Sequence, residues 1–195
     1  MNNNKKDISK ILNLPILVIS SNAHNGLDWV HSLLDGHKQI VILPAFSYFR
    51  FLIIKKNNFK LFKKKKNLIR LISNTLYKKD SYNVPRRKFF NNTKEKNLFS
   101  KFLTEFFYIK EINYVTLFYG IHYAFLKMKN ENIQKKKYII SHEHMTWNHQ
   151  NYFMFDDIKF LFVIRDPRAA FAGSILQMKK INKLNFLYSH QMNKI

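Results

Sequence analysis

The sequence contains no cysteine, and it has only four glycines and four prolines among 195 residues. The absence of cysteine excludes disulfide bonds and cysteine-based zinc sites, and it fits a reducing compartment, so we expect a cytoplasmic protein. No apolar run reaches the roughly 18 to 20 residues of a membrane-spanning helix, which predicts a chain without a transmembrane segment. Hydrophobic residues nevertheless make up 46% of the chain, which is enough apolar material for the core of one domain.

Acidic residues are also scarce, at 12 against 34 lysines and arginines, which gives a formal net charge of +22. A charge of this size suggests a nucleic acid, a membrane surface or an anionic small ligand as partner. However, only six of the basic residues are arginine, and Asn, Ile, Phe and Tyr are abundant, as an AT-rich genome would produce. We therefore attribute the charge mainly to genome composition and do not expect nucleic acid as the partner.

The chain alternates apolar runs with helical patterns. Residues 1–14 are polar, which predicts a flexible N-terminus, and the domain is expected over 15–195. Short runs rich in β-branched residues predict buried strands at 15–20, 39–43, 137–141 and 158–165.

Between the second and third strands, Phe and Leu recur at three- and four-residue spacings, which predicts a helical insertion at about 46–135. Strands that are apolar on both faces and alternate with helices predict an α/β fold, a three-layer parallel sheet flanked by helices.

Polar segments follow two of the predicted strands, where parallel α/β sheets bind their ligands. The first is the loop "SSNAHNGLDW" (20–29), which leads into a helix on whose face we expect Trp29, Leu33 and Leu34. A helix N-terminus favours a phosphate, and Gly26 permits close approach of the backbone. The alternative is an ordinary turn in which Asp28 serves the helix dipole.

The second polar segment is "RDPRAAFAGS" (165–174), which opens a helix with Pro167 in its first turn. Arg165 could bind a phosphate in bidentate fashion, and Ser174 lies on the following helix. The alternative is that Asp166 and Arg168 form a surface pair or a helix cap, with Arg165 exposed.

A third polar segment, "SHEHMTWNH" (141–149), follows the third strand. His142 and His144 are two residues apart, which places them on one face of a strand. The pattern lacks the helical spacing of a zinc-binding H-E-x-x-H motif, so we predict no metal. A general base among His142, Glu143 and His144 is the functional interpretation, and polar capping residues are the alternative.

Taken together, these segments resemble the sulfotransferases that use 3′-phosphoadenylyl sulfate (PAPS), in particular the bacterial and carbohydrate-type members. The first family motif is matched by "GLDWVHSLLDGHKQIVILP" (26–44) and the second by "FLFVIRDPRAAFAGS" (160–174). The segment "YIISHEHMTWNHQNYFMFDDIKF" (138–160) has the layout of the family's strand, histidine and helix between them. The resemblance covers roughly residues 15–178.

The resemblance implies a fold like that of P-loop nucleoside-triphosphate hydrolases and transfer of a sulfuryl group from PAPS to a hydroxyl or amino group. The acceptor would be a small molecule or a carbohydrate. The implied cofactor-binding residues are Asn25, Gly26, Leu27, Asp28, Trp29, Arg165 and Ser174. The implied catalytic residues are His24, His142, Glu143 and His144.

The chain departs from the family pattern at several of these positions. His24 replaces the loop's Arg or Lys, Leu27 and Asp28 replace two hydroxyl residues, and Gly173 stands where the family usually has Ser. The family's usual C-terminal part is also lacking, so we expect exposed apolar surface, and a partner chain could supply that part. Impaired transfer is therefore expected, and the alternatives are a basic α/β module that binds a polyanion or an inactive truncated remnant.

Overall fold

The computed structural model describes residues 3–21, 25–44, 47–49, 65–77, 88–144, 149–150 and 152–180, with the backbone alone at 174 and 176–180. The helices are α1 (Asn3–Leu12), α2 (Leu27–Leu34), α3 (Lys65–Tyr77), α4 (Thr93–Ile109), α5 (Tyr114–Met128) and α6 (Pro167–Lys180). The strands are β1 (Ile16–Ser20), β2 (Ile40–Ile42), β3 (Tyr138–Glu143) and β4 (Ile158–Phe162), and a 3₁₀ turn spans Ile133–Lys135.

The four strands form one parallel sheet in the order β2-β3-β1-β4. This confirms the predicted parallel α/β sheet flanked by helices. Strand β3 extends two residues beyond its predicted end and includes His142 and Glu143, whereas β4 ends at Phe162. Because the strands are parallel, their carboxyl ends lie at one edge of the sheet.

Apolar side chains cover both faces of the central strand β1. Ile16 and Val18 belong to the larger core, which α1, α3, α4 and α5 build with the sheet. Leu17 and Ile19 face a smaller cluster, which includes Leu27 of α2. Burial on both faces explains why β1 reads as a continuous apolar run.

The N-terminal segment differs from the flexible tail that its polarity predicts, because it forms α1. Ile8 and Ile11 are 1% and 0% exposed and lie three residues apart on one helical face. The helix packs against α5, and Lys127 Nζ lies 3.3 Å from Asp7 Oδ2. Two apolar residues at helical spacing are therefore sufficient to dock a segment that is otherwise polar.

The described parts of the expected insertion, 47–49, 65–77 and 88–135, are largely helical. Asn92 accepts a hydrogen bond from the Glu95 N–H at the start of α4, and Asn113 and Thr116 form a capping box at the start of α5. Gly120 lets α4 and α5 approach closely, since an added Cβ would lie 3.0 Å from Phe106 Cδ1. The remainder of the insertion lies outside the described residues.

The β4 side of the sheet carries exposed apolar side chains. Leu161 and Phe162 are about half exposed, and Ile164 and Phe171 are 87% and 67% exposed. This is the exposed apolar surface expected from the lack of the family's C-terminal part. Among the described residues, no helix combines the length and apolarity needed to cross a bilayer.

A buried histidine, His122, lies inside the helical part of the core. Its Nδ1 donates to the Phe118 carbonyl oxygen at 2.9 Å, which leaves Nε2 to accept from the Tyr48 hydroxyl at 3.3 Å. Burial lowers the pKa of His122 from 6.5 to about 4, against the opposing effect of the Phe118 hydrogen bond. The folded protein therefore holds this imidazole neutral at neutral pH.

We predict that His122 makes the fold less stable in mild acid. Its folded-state pKa lies below the unfolded value, so between these values the unfolded chain binds the extra proton and stability falls as pH falls. The group should contribute a loss of roughly 3 kcal/mol between pH 6.5 and 4. Urea unfolding at several pH values should show a shallower dependence for His122→Phe than for the wild type. Equal slopes for the two proteins would contradict the prediction.

Candidate functional site at the carboxyl edge of the sheet

The strand order places a crevice between β1 and β3. After β1 the chain passes to β2 on one side of the sheet, and after β3 it crosses to β4 on the other side. Such a point of reversal, at the carboxyl ends of the strands, is where parallel α/β folds bind ligands. The loop after β1, the first turn of α2 and the end of β3 meet here.

Helix α2 begins without a side-chain cap. Its N-cap is Gly26 in a left-handed conformation (φ 84°, ψ 17°), which glycine adopts without strain. Leu27 is 2% exposed and anchors this turn in the smaller cluster. Asp28 follows and points towards the end of β3, whereas Trp29 is 67% exposed.

The packed face of α2 differs from the expected one. Its buried residues are Leu27 and His31, and Val30 and Leu34 pack against the smaller cluster. Leu33 is 62% exposed, and so lies with Trp29 outside the packed face. The reason is that Leu27 enters the core, which rotates the helix relative to the face marked by its large apolar residues.

His142 and His144 lie on one face of the β3 end, with ring centroids 4.6 Å apart. This agrees with the side-chain alternation of a strand. The Nδ1 atoms of His142 and His31 are 2.7 Å apart, so one of these rings donates a hydrogen bond to the other. Both rings are buried, and the pair ties β3 to α2.

The Asp28 carboxylate reaches across to the two β3 histidines. Its Oδ1 lies 3.7 Å from His142 Nε2 and 3.5 Å from His144 Nε2. The hydrogen bond with His144 lowers the pKa of Asp28 below 3.8, although partial burial opposes this shift. Burial lowers the pKa of His142 to about 2, so this ring is neutral beside an ionised carboxylate.

Glu143 lies on the opposite face of β3 from the histidines. The Tyr152 hydroxyl donates to Glu143 Oε1 at 2.7 Å and lies 2.6 Å from Ser141 Oγ. Burial, followed by the charge of Glu143, raises the pKa of Tyr152 well above 10. The structure thus brings together two of the predicted catalytic residues, His142 and His144, and places Glu143 in the aromatic core.

Arg165 lies just beyond β4 at the same edge and is exposed. The Val163 N–H donates to the Ser20 carbonyl oxygen at 2.8 Å, which holds this segment beside β1. Arg168 forms two hydrogen bonds with the Asp166 carboxylate, at 2.8 and 3.1 Å, and lowers the pKa of Asp166. The surface pair named as an alternative is therefore present, and Arg165 is the arginine that extends from the strand end.

Two of the predicted site positions cannot be placed. His24 and the side chain of Ser174 lie outside the described residues. Asn25, which precedes the N-cap glycine, is partly exposed.

The sequence analysis missed three residues of this crevice: His31, Ser20 and Ser21. His31 follows Asp28 by three residues, and that helical spacing was the available signal. The hydroxyl oxygens of Ser20 and Ser21 are buried and make no hydrogen bond within the described residues.

Comparisons of the chain with protein-family models, with curated proteins and with solved structures find no match.

We predict that the Tyr152–Glu143 contact is needed for the fold. Tyr152→Phe removes both hydrogen bonds of a fully buried hydroxyl, so we expect a loss of about 1–3 kcal/mol in the free energy of unfolding. Tyr138→Phe is the matched control, because Tyr138 is 49% exposed on the same strand and its change should cost under about 0.5 kcal/mol. Urea midpoints at constant slope measure both variants. Equal stability of the two would show that the contact is dispensable.

Proposed function

We propose that this chain is a sulfotransferase-like protein with a P-loop-like fold, which binds PAPS at the carboxyl edge and transfers its sulfuryl group to a hydroxyl or amino group. The acceptor is a small molecule or a carbohydrate. The observation that supports this most directly is the crevice at the β1 end, where an uncapped helix N-terminus and Arg165 occur at the same sheet edge. Both belong to the two segments that resemble the family motifs.

The start of α2 fits a phosphosulfate. Its first-turn N–H groups have no side-chain cap, and they carry the positive end of the helix dipole. A Cβ built at Gly26 meets nothing within 4 Å, so the backbone here is open to a ligand. The buried hydroxyls of Ser20 and Ser21 add two hydrogen-bond donors beside this turn.

Asp28 is the residue that fits worst. A carboxylate about 4 Å from a phosphate charge costs about 4 kcal/mol at an effective dielectric near 20, before relaxation. Its contacts with His142 and His144 draw the carboxylate towards β3, which reduces this cost. We therefore expect weaker PAPS binding than the resemblance alone implies.

The other residues divide the remaining work. PAPS supplies the activated sulfuryl group, and Arg165 would hold the 3′-phosphate. His144 would accept the acceptor's proton, because its side chain is 26% exposed whereas His142 is fully buried against His31. Such a transfer depends mostly on positioning and on electrostatic stabilisation of the leaving oxygen.

A second candidate is the polyanion-binding module, which one surface favours. Lys65, Lys66 and Arg70 of α3 and Lys96 and Lys101 of α4 line one groove, whose described lining includes no Asp or Glu. Such a groove would bind a polyanion with a steep dependence on salt.

We predict that Arg165→Ala weakens binding of adenosine 3′,5′-bisphosphate roughly 10- to 100-fold, the value of a charge-assisted hydrogen bond. Calorimetry with chelator-treated protein measures the affinity. Arg70→Ala is the matched control, because Arg70 is exposed on α3 and faces the basic groove.

Absence of binding at millimolar nucleotide would refute the pocket. Equal affinities for the two variants together with steep salt dependence would instead favour the polyanion module.

We also predict that Asp28→Asn strengthens binding of the same nucleotide, by at least roughly tenfold, because it removes a like charge at the helix N-terminus. Asp35→Asn, an exposed change at the other end of α2, serves as control and should leave the affinity unchanged. Weaker binding by Asp28→Asn would show that the carboxylate supports the ligand and would remove the electrostatic objection to Asp28.

A further inference from the structure

Three side chains at the carboxyl edge present metal-ligating atoms to one another. We call Asp28, His142 and His144 the Asp–His–His cluster; their ligand atoms all lie within 4.8 Å of one another. Asp28 Oδ1 lies 3.7 Å from one Nε2 atom and 3.5 Å from the other. Two ligand atoms bound tetrahedrally to zinc at about 2.0–2.2 Å lie roughly 3.3–3.6 Å apart. The two measured separations therefore have the size of tetrahedral edges.

The surroundings of the cluster orient its buried ligand. Metal-binding imidazoles almost always donate their other ring N–H to a fixed partner, which directs the ligating nitrogen towards the ion. The Nδ1 of His142 is held 2.7 Å from His31 Nδ1, and His142 Nε2 is the nitrogen nearest Asp28. His31 is itself buried on α2, three residues after Asp28, so one helix supplies both a ligand and the residue that positions another.

The opposite side of the cluster is open. The side chains of Asp28 and His144 are 46% and 26% exposed, whereas that of His142 is 0% exposed. An ion bound here would have three protein ligands and one accessible position, the arrangement of catalytic rather than structural zinc sites. The two exposed side chains can also rotate to close the longest separation in the cluster.

The ligand types narrow the choice of ion. Two imidazoles and one carboxylate suit zinc and other divalent first-row metals, whereas Ca²⁺ and Mg²⁺ prefer oxygen ligands alone. The chain has no cysteine, so no thiolate site competes for zinc.

We propose that Asp28, His142 and His144 bind one divalent transition-metal ion, with zinc as the best match, and present its open position to the crevice between β1 and β3. This replaces the expectation of no metal, which considered the histidines only within their own segment. The site does not depend on PAPS binding, because its geometry involves these side chains alone. The open position would take water or an anionic oxygen, whose charge a zinc ion stabilises.

Metal titration of the tag-free chain without nucleotide tests the proposal. Apo protein should bind one Co²⁺ with visible d–d absorption, and Zn²⁺ should displace it. His144→Ala and Asp28→Asn remove partly exposed ligands, so these variants should fold and lose more than roughly 100-fold in zinc affinity. His31→Phe should lose roughly 10- to 100-fold, the range for removal of a residue that positions a ligand.

His37→Ala and Asp35→Asn are the matched controls, since both remove exposed side chains of the same types near α2 and should leave the affinity unchanged. No saturable binding by the wild type, or full affinity in His144→Ala or Asp28→Asn, overturns the site. This outcome is separable from the nucleotide result, because Asp28→Asn should weaken metal binding and strengthen nucleotide binding.

Discussion

The candidate site depends on the pairing of β1 with β3. In this register Ile19 lies opposite His142 and Ser20 opposite Glu143, so the last residues of β3 reach the crevice beside the loop after β1. A slip of one residue would exchange the two faces of β3, because side chains alternate along a strand. Glu143 would then face α2, and His142 would enter the aromatic core. The apolar side chains on both faces of β1 fix the register against such a slip, since each face packs into its own cluster.

This register gives the two faces of β3 opposite chemistry. On one face, His142 contacts His31 and Asp28, which belong to the short helix that directly follows the β1 loop. On the other face, Glu143 is buried against Tyr152, whose ring stands among the aromatic side chains of the helical core. A buried carboxylate that accepts a hydrogen bond from a buried phenol is a structural element before it is a catalytic one. The accessible chemistry of the segment therefore lies on the histidine face.

The sequence predicted the parts that depend on local periodicity. The four strands, their parallel arrangement and the common face of His142 and His144 follow from apolar runs and from a period of two. The contacts that join distant segments could not be read in this way. The Asp28 contact with His144 spans more than a hundred residues and requires the strand order, which places β3 rather than β2 beside β1. Helix α1 was missed because two isoleucines among polar residues suffice once α5 offers a surface. The burial of Glu143 depends on Tyr152, which lies in a separate turn.

The departures from the sulfotransferase pattern at the α2 start are consistent with one another in the structure. Leu27, where the family has a hydroxyl residue, is buried in the smaller cluster with Ile19 and Ile140. Asp28, where a second hydroxyl is expected, contacts both β3 histidines, and His31 on the same helix holds one of them. Random loss of function would more often leave a buried polar group or an isolated charge at such positions. Here the apolar substitution adds to the core and the acidic one has two imidazole partners. A site remodelled around a different charge, a cation at Asp28 rather than an anion at the helix N-terminus, accounts for both changes together.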